Sequence, residues 1–196
     1  MITSAILIFL AVAAYGLVHS LLASLPVKAQ AQRLFGETGR RLYRLVYNGI
    51  AVVTFLPLLA LTAALPGKTL YRLPLPWSLL ALGLQLLAFL TLVWAVLQTG
   101  AFSFLGLGAL SGSTDAGASR LVTSGLYRFV RHPIYTAGLL FIWASPVMTS
   151  NLLALYLGVT LYIFIGAQHE EYRLVREYGD AYREYQRRTP MLIPLL

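Results

Sequence analysis

Two short segments of this chain carry side chains able to do chemistry. The first is Leu121-Val122-Thr123-Ser124-Gly125-Leu126-Tyr127-Arg128-Phe129-Val130-Arg131-His132-Pro133-Ile134-Tyr135, and the second is His169-Glu170-Glu171. Pro133 suits the first turn of a helix, where a backbone N–H has no intrahelical use. A helix starting there offers free N–H groups and a positive dipole end to an anion. Arg128 and Arg131 add forked donors for a carboxylate or phosphate. Glu170 and Glu171 supply the opposite sign, and adjacent carboxylates at a membrane boundary are costly unless paired. One of them is therefore expected to meet Arg131, Arg128 or a cationic group of a ligand. No metal is expected, because His132, His169 and the two Glu lack a fixed ligand spacing such as two His four residues apart.

The elements that must position these groups are membrane helices. In 196 residues, 58% are hydrophobic and 11% charged, with a mean hydropathy of +0.72, a balance foreign to soluble domains. Crossing about 30 Å of hydrocarbon takes about 20 apolar residues. Ile2 to Leu25, Leu45 to Leu65 and Leu75 to Leu97 meet that length. Ile134 to Val147 and Leu152 to Ala167 are shorter runs separated by Met148-Thr149-Ser150-Asn151, which reads as a tight helical hairpin. That hairpin would bring Arg131-His132 and Glu170-Glu171 to one depth. The fold class expected is thus all-α and polytopic, with about five transmembrane helices. Residues 1–99 would form a three-helix scaffold on the substrate side, and 100–196 the loop, hairpin and C-terminal helix of a cofactor site.

Charge sets the orientation, since Lys and Arg gather on the cytoplasmic side. Lys28, Arg33, Arg40, Arg41 and Arg44 follow the first span, Arg120, Arg128 and Arg131 the third, and Arg173, Arg176, Arg183, Arg187 and Arg188 the fifth. Lys68 and Arg72 are left for the other face. With five spans the N-terminus lies outside, and the C-terminus and both polar clusters lie in the cytoplasm, in a bacterium beneath the inner membrane. Topology and anionic headgroups account for the formal charge of +8 without nucleic acid as a partner. The absence of Cys excludes disulfides, thiolate metal sites and a Cys nucleophile.

A Gly- and Ser-rich loop, Gly106 to Ser119, leads into the first cluster. After the last span, Tyr172, Val175, Tyr178, Tyr182 and Tyr185 recur among charges, interrupted by Gly179. They mark one amphipathic helix, or two short ones, lying on the membrane face or packed on the motif. The stripe reads as packing rather than as a cofactor box.

Several ordered elements between Leu121 and Pro194 together resemble the integral-membrane methyltransferase superfamily. These are Leu121-Val122, Gly125-Leu126-Tyr127, Arg131-His132-Pro133-x-Tyr135, Glu170-Glu171, Leu174, Tyr178-Gly179, Tyr182, Tyr185 and Pro194. The superfamily includes isoprenylcysteine carboxyl methyltransferase, phospholipid methyltransferases, methanethiol S-methyltransferases and NnrU-like proteins. Trp143 to Thr149 and Pro190 to Pro194, and less specifically His19 to Ser24 and Tyr43 to Asn48, look most like the thiol-methyltransferase and NnrU-like branch.

The resemblance implies S-adenosylmethionine as cofactor and a small-molecule or lipophilic methyl acceptor, a thiol, amine or carboxylate, reached from the membrane lipid. Leu121, Val122, Gly125 and Tyr127 would contact the adenosine end, His132, Pro133 and Tyr135 the methionine end, and Glu170 or Glu171 the cation. Arg131, His132 and Glu171 would be the catalytic set, with Arg131 anchoring cofactor or a substrate carboxylate. His19 and Asn48 are polar residues within or beside spans, suited either to interhelical bonds or to lining an acceptor cavity. Two alternatives share parts of the pattern. One is a non-catalytic NnrU-like protein that assembles a redox system or binds haem through His19, His132 or His169; the other is an NADPH-dependent sterol-type reductase.

Overall fold

The computed structural model describes residues 2–100, 105–107 and 121–193. The Gly- and Ser-rich loop beyond Leu107, Arg120 and Pro194 lie outside the described residues. The helices are α1 (Ile2–Ala23), α2 (Leu25–Ala64), α3 (Trp77–Gln98), α4 (Pro133–Trp143), α5 (Ser150–Tyr178) and α6 (Asp180–Arg188), and two short strands, β1 (Thr69–Arg72) and β2 (Val147–Thr149), interrupt them. Among the described residues four helices, α1, α2, α3 and α5, are long and apolar enough to cross a membrane. The chain is an all-α polytopic membrane protein.

Three elements differ in extent from the sequence reading. The apolar helix α4 has 11 residues, about 16 Å at 1.5 Å per residue, or roughly half the hydrocarbon thickness. Helix α2 has 40 residues, about 60 Å and twice that thickness. Its Lys28-to-Arg44 stretch, with good helix formers such as Ala, Gln, Arg and Leu, is helical rather than a loop, and non-helical angles at Gly36 (φ 60°, ψ −141°) kink it. Helix α5 does not stop at Ala167. It runs to Tyr178 because no Gly or Pro interrupts Gln168 to Tyr178; the onset of charge marks a change of solvent, not a helix end.

The described residues divide into two compact units. The first gathers α1, α2 and the start of α5, Ser150–Gly158. Here α1 buries Ser4, Ile8, Val12, Gly16 and His19, one stripe at helical spacing. The Val12 side chain fills the space beside Gly158, where a Cβ would come within 3.0 Å of it. Asn151 donates its amide to the carbonyls of Thr62 (3.2 Å) and Leu65 (2.8 Å), satisfying the end of α2.

The second unit holds β1, α3, α4, β2, the rest of α5, α6 and the segment after it. Helices α3 and α4 pack together, with Ala81, Ala88 and Ala95 buried on α3 and Ala137 on α4. Gln85 donates to the Phe141 carbonyl at 3.0 Å. Strands β1 and β2 pair antiparallel, Tyr71 opposite Met148 and Arg72 opposite Val147. This ribbon replaces the bare turn expected between the last two apolar runs. It fixes one end of the unit, and the polar clusters sit at the other: α3 runs away from the ribbon, α4 returns to it, and α5 leaves it again.

Candidate functional site

The site starts with a single 3-10 turn, Gly125–Arg128. It is closed by Tyr127 N donating to Ser124 O (3.2 Å) and Phe129 N to Leu126 O (3.1 Å). Gly125 has φ +63°, a region other residues enter only under strain. Four residues beyond the end of the turn, His132 is the N-cap of α4 and Pro133 its first residue, as the sequence predicts. The backbone N–H groups just before this helix start are already engaged. Arg131 N donates to Pro190 O (2.9 Å) and His132 N to Met191 O (3.1 Å), and the Thr136 hydroxyl donates to Leu192 O at 2.7 Å. The segment after α6 is thus laid against the start of α4.

Helix α5 brings Glu170 and Glu171 to the same place, and the two differ sharply in surroundings. Glu171 is 7% exposed. Its Oε1 accepts from Arg131 Nε (2.9 Å), His132 Nε2 (2.8 Å) and the Tyr182 hydroxyl (2.7 Å). Its Oε2 accepts from Arg131 Nη2 (2.8 Å) and Gln186 Nε2 (2.6 Å). The remaining arm of Arg131, Nη1, donates to the carbonyls of Gln186 (3.2 Å) and Thr189. A carboxylate taking the fork of an arginine and three further donors is held as the anion.

Glu170, one residue earlier, keeps a third of its side chain open, at 33% exposure. Its Oε2 accepts the Tyr135 hydroxyl at 3.0 Å and lies 3.6 Å from His132 Nδ1, and its Oε1 is 3.7 Å from Arg173. His132 therefore stands between two carboxylates, one on each ring nitrogen, with its ring stacked on Tyr135 (centroids 5.3 Å apart, planes at 20°). Since a carboxylate only accepts, the His132 nitrogen toward Glu171 carries a proton.

Tyrosines from α6 close the cluster. Tyr182 and Tyr185 are buried; Tyr185 donates to the Tyr127 carbonyl. Burial pushes both phenols well above the usual tyrosine range, and for Tyr182 the bond to anionic Glu171 adds to it. The Tyr127 phenol is pushed up to about 12, by burial first and by the charge of Glu170 second, while a hydrogen bond with Thr99 opposes the rise. All three are neutral hydroxyls at physiological pH.

The structure brings together, of the residues expected at the site, Arg131, His132, Pro133, Tyr135, Glu170 and Glu171, with Gly125 and Tyr127 on the adjoining turn. Leu121 and Val122 are half-buried in the segment leading into it. Arg128 instead lays its guanidinium over the Phe129 ring, 5.0 Å from the centroid, and His169 is exposed. His19 and Asn48 belong to the first unit. There His19 is 2% exposed, its Nε2 3.2 Å from the Thr54 hydroxyl, its ring beside Tyr15 and edge-on to Tyr47; Asn48 is half-buried on α2. Sequence reasoning missed Gln186 and the carbonyls of Thr189, Pro190 and Met191 as partners of the cluster. It noted Tyr182 and Tyr185 as a stripe, but backbone carbonyls leave no mark in a sequence.

A family model matches the part of the chain that holds Arg131, His132, Tyr135, Glu170 and Glu171, and stops just short of Tyr182. The sequence model of the phospholipid methyltransferase family matches residues 77–181, more than half of the chain. Methanethiol S-methyltransferase 1 of Bradyrhizobium diazoefficiens is 46% identical over 80 residues, which are 41% of this chain and 28% of that protein. Methanethiol S-methyltransferase of Mycobacterium tuberculosis is 45% identical over 69 residues, 35% of this chain and 28% of that protein. Protein-S-isoprenylcysteine O-methyltransferase of Schizosaccharomyces pombe is 34% identical over 125 residues, 53% of this chain and 52% of that protein. The matches span less than a third of the length of the methanethiol S-methyltransferases and about half of the fission yeast protein. No solved structure matches the chain. With its apolar helices, its Arg131-His132-Pro133 helix start and its paired carboxylates inside the matched region, the chain belongs to the phospholipid methyltransferase family.

Proposed function

We propose that the chain is an S-adenosylmethionine-dependent methyltransferase of the membrane, acting on a small or lipophilic thiol, amine or carboxylate. The observation that carries this reading is the division of labour between two adjacent carboxylates. Glu171 is consumed by Arg131, His132, Tyr182 and Gln186. Glu170 is held beside it with open surface, near the Tyr135 hydroxyl, His132 Nδ1 and an exposed Arg173. A fixed, half-open anion suits the cationic amino and sulfonium groups of the cofactor. Bound S-adenosylmethionine supplies a methyl group on a positively charged sulfur, which becomes a neutral thioether when the methyl leaves.

In this reading Glu170 meets the cation, His132, Pro133 and Tyr135 border the methionine end, and Leu121, Val122, Gly125 and Tyr127 border the adenosine end. Arg131 and Glu171 act through the others: each neutralises its partner and fixes His132 and α6 around the site. That replaces the sequence-based role of Arg131 as anchor for a carboxylate, because its donors are spent on Glu171, Gln186 and Thr189. Charge is lost as the reaction proceeds, so alignment and exclusion of water supply most of the acceleration. A thiol or amine acceptor must lose a proton, for which Glu170 and His132 are the bases within the cluster. His19 and Asn48 are the proposed acceptor-side residues. The excess of Arg around the cluster supports a cytoplasmic face for it and an outside N-terminus, in a bacterial inner membrane.

Calorimetric titration of the detergent-purified protein with S-adenosylmethionine and with NADPH, followed by radiolabelled methyl transfer to membrane lipid extracts and a panel of thiols, amines and prenylcysteines, tests the reading. Binding of S-adenosylmethionine and labelled product are expected, and Glu170→Gln should weaken cofactor binding at least about tenfold, the loss of one charge-assisted contact. NADPH binding alone, or a Soret band that disappears when His19 is changed, would overturn it.

A further inference from the structure

Helix α3 ends at Gln98, with Thr99 as its C-cap, shortly after exposed Trp94 and Leu97. Gln98 and Thr99 both reach the Gly125–Arg128 turn. Gln98 Oε1 accepts the Leu126 N–H at 3.1 Å, a contact 28 residues apart in sequence. The turn closes through the N–H groups of Tyr127 and Phe129, so Gln98 takes up the donor at its front. The Thr99 side chain also acts on the Tyr127 phenol, favouring its ionised form against burial. Gly125 completes the fit: a Cβ there would occupy the position of the Gln98 amide nitrogen. The missing side chain of Gly125 is the room that Gln98 uses.

Gln98 ties this turn to a membrane helix at its leading edge, and the Tyr185 hydroxyl also holds the turn, through the Tyr127 carbonyl. We propose that Gln98 is a positioning residue for the methyl donor: it fixes the Gly125–Arg128 turn in the orientation that receives the adenosine end. The inference rests on the donor-binding role given to Gly125 and Tyr127 above. A side chain that orients the donor half of the site acts on donor affinity and leaves the acceptor's own contacts alone.

The test uses the full chain in detergent with Gln98→Met, which keeps length and removes the acceptor, and Gln98→Glu, which restores an acceptor oxygen. Amide hydrogen exchange at Leu126, measured without donor, should be about tenfold faster in Gln98→Met and near wild type in Gln98→Glu, since an unmade hydrogen bond opens that N–H to water. The KM for S-adenosylmethionine should rise about tenfold in Gln98→Met, with kcat and the acceptor KM unchanged, and recover in Gln98→Glu. If Gln98→Met does not fold, Gln98→Ala, which also removes the acceptor oxygen, should show the same faster exchange and weaker donor binding. Unchanged donor affinity in either folded variant, or an effect confined to the acceptor KM, overturns the positioning role alone. A wild-type protein that binds no S-adenosylmethionine overturns the donor reading itself, and this inference with it.

Discussion

Glu171→Gln keeps the side chain's shape and removes its charge, and the geometry around it sets the cost. Oε1 faces three donors and Oε2 two. Whichever oxygen becomes the amide nitrogen, an N–H group is turned toward other N–H or O–H groups. The Arg131 guanidinium, buried with it, is left without a countercharge. Removing one partner of a buried ion pair costs about 3–5 kcal/mol, which in a chain of this size lowers the melting temperature by about 6–20 °C, at 2–4 °C per kcal/mol. Reversible unfolding in detergent, followed by tryptophan fluorescence, measures it. Adding Arg131→Met to Glu171→Gln should cost about 1.5–3 kcal/mol less than Arg131→Met in the wild type, because the charge–charge bond is already gone. A single variant within about 1 kcal/mol of wild type, or effects that add to within about 0.5 kcal/mol, would refute the view that the pair holds the cluster together.

Two further outcomes follow from the same cluster. The folded site holds Tyr127 as the neutral phenol up to about pH 12, against 10.0 for an ordinary tyrosine, so the unfolded chain releases this proton first. The stability contributed is complete below pH 10 and is lost as pH rises toward 12; Tyr127→Phe should flatten the fall in melting temperature across that window. Gly179, between α5 and α6, sits at φ 58° and ψ −128° with open space where a Cβ would go. Gly179→Ala should therefore destabilise by about 1–3 kcal/mol through backbone strain alone, whereas Gly166→Ala, within α5 and equally open, should be neutral or stabilising by about 0.5–1 kcal/mol; equal effects at the two glycines would remove the argument from dihedral angle.

Where the sequence was legible, a local physical rule had a local signature. Pro133 announced the start of α4, and two apolar runs around a short polar break announced the return that sets Glu171 against Arg131. Helix termini were harder, since hydropathy reports solvent and not hydrogen bonding: the charges at Gln168 onward read as an end, although α5 continues for another turn and more. Gln98 stood unremarked because one glutamine after an apolar run looks like the edge of a span; its meaning depends on Gly125, 27 positions later, leaving room for it. The β1–β2 ribbon had no alternation to betray it, being three and four residues long. Arg131 was marked out by its place in Arg131-His132-Pro133 and Arg128 was not; Arg128 rests on Phe129, and Arg131 lies in a cage half of whose acceptors are main-chain carbonyls.

That cage also has a schedule. Arg131 meets Glu171 40 residues later in the chain, Gln186 55 later and Thr189 58 later. At roughly 5–20 residues per second, about 3–12 s separate the synthesis of the guanidinium from that of its last acceptor. Until Glu171 is made the start of α4 lacks its countercharge, and until Thr189 is made it lacks the carbonyls around its guanidinium, so water or headgroups must solvate it. Entry of the apolar helices into the bilayer and completion of the site are thus separate events on the ribosome, and a nascent chain halted between Glu171 and Thr189 would be inserted in the membrane but chemically unfinished.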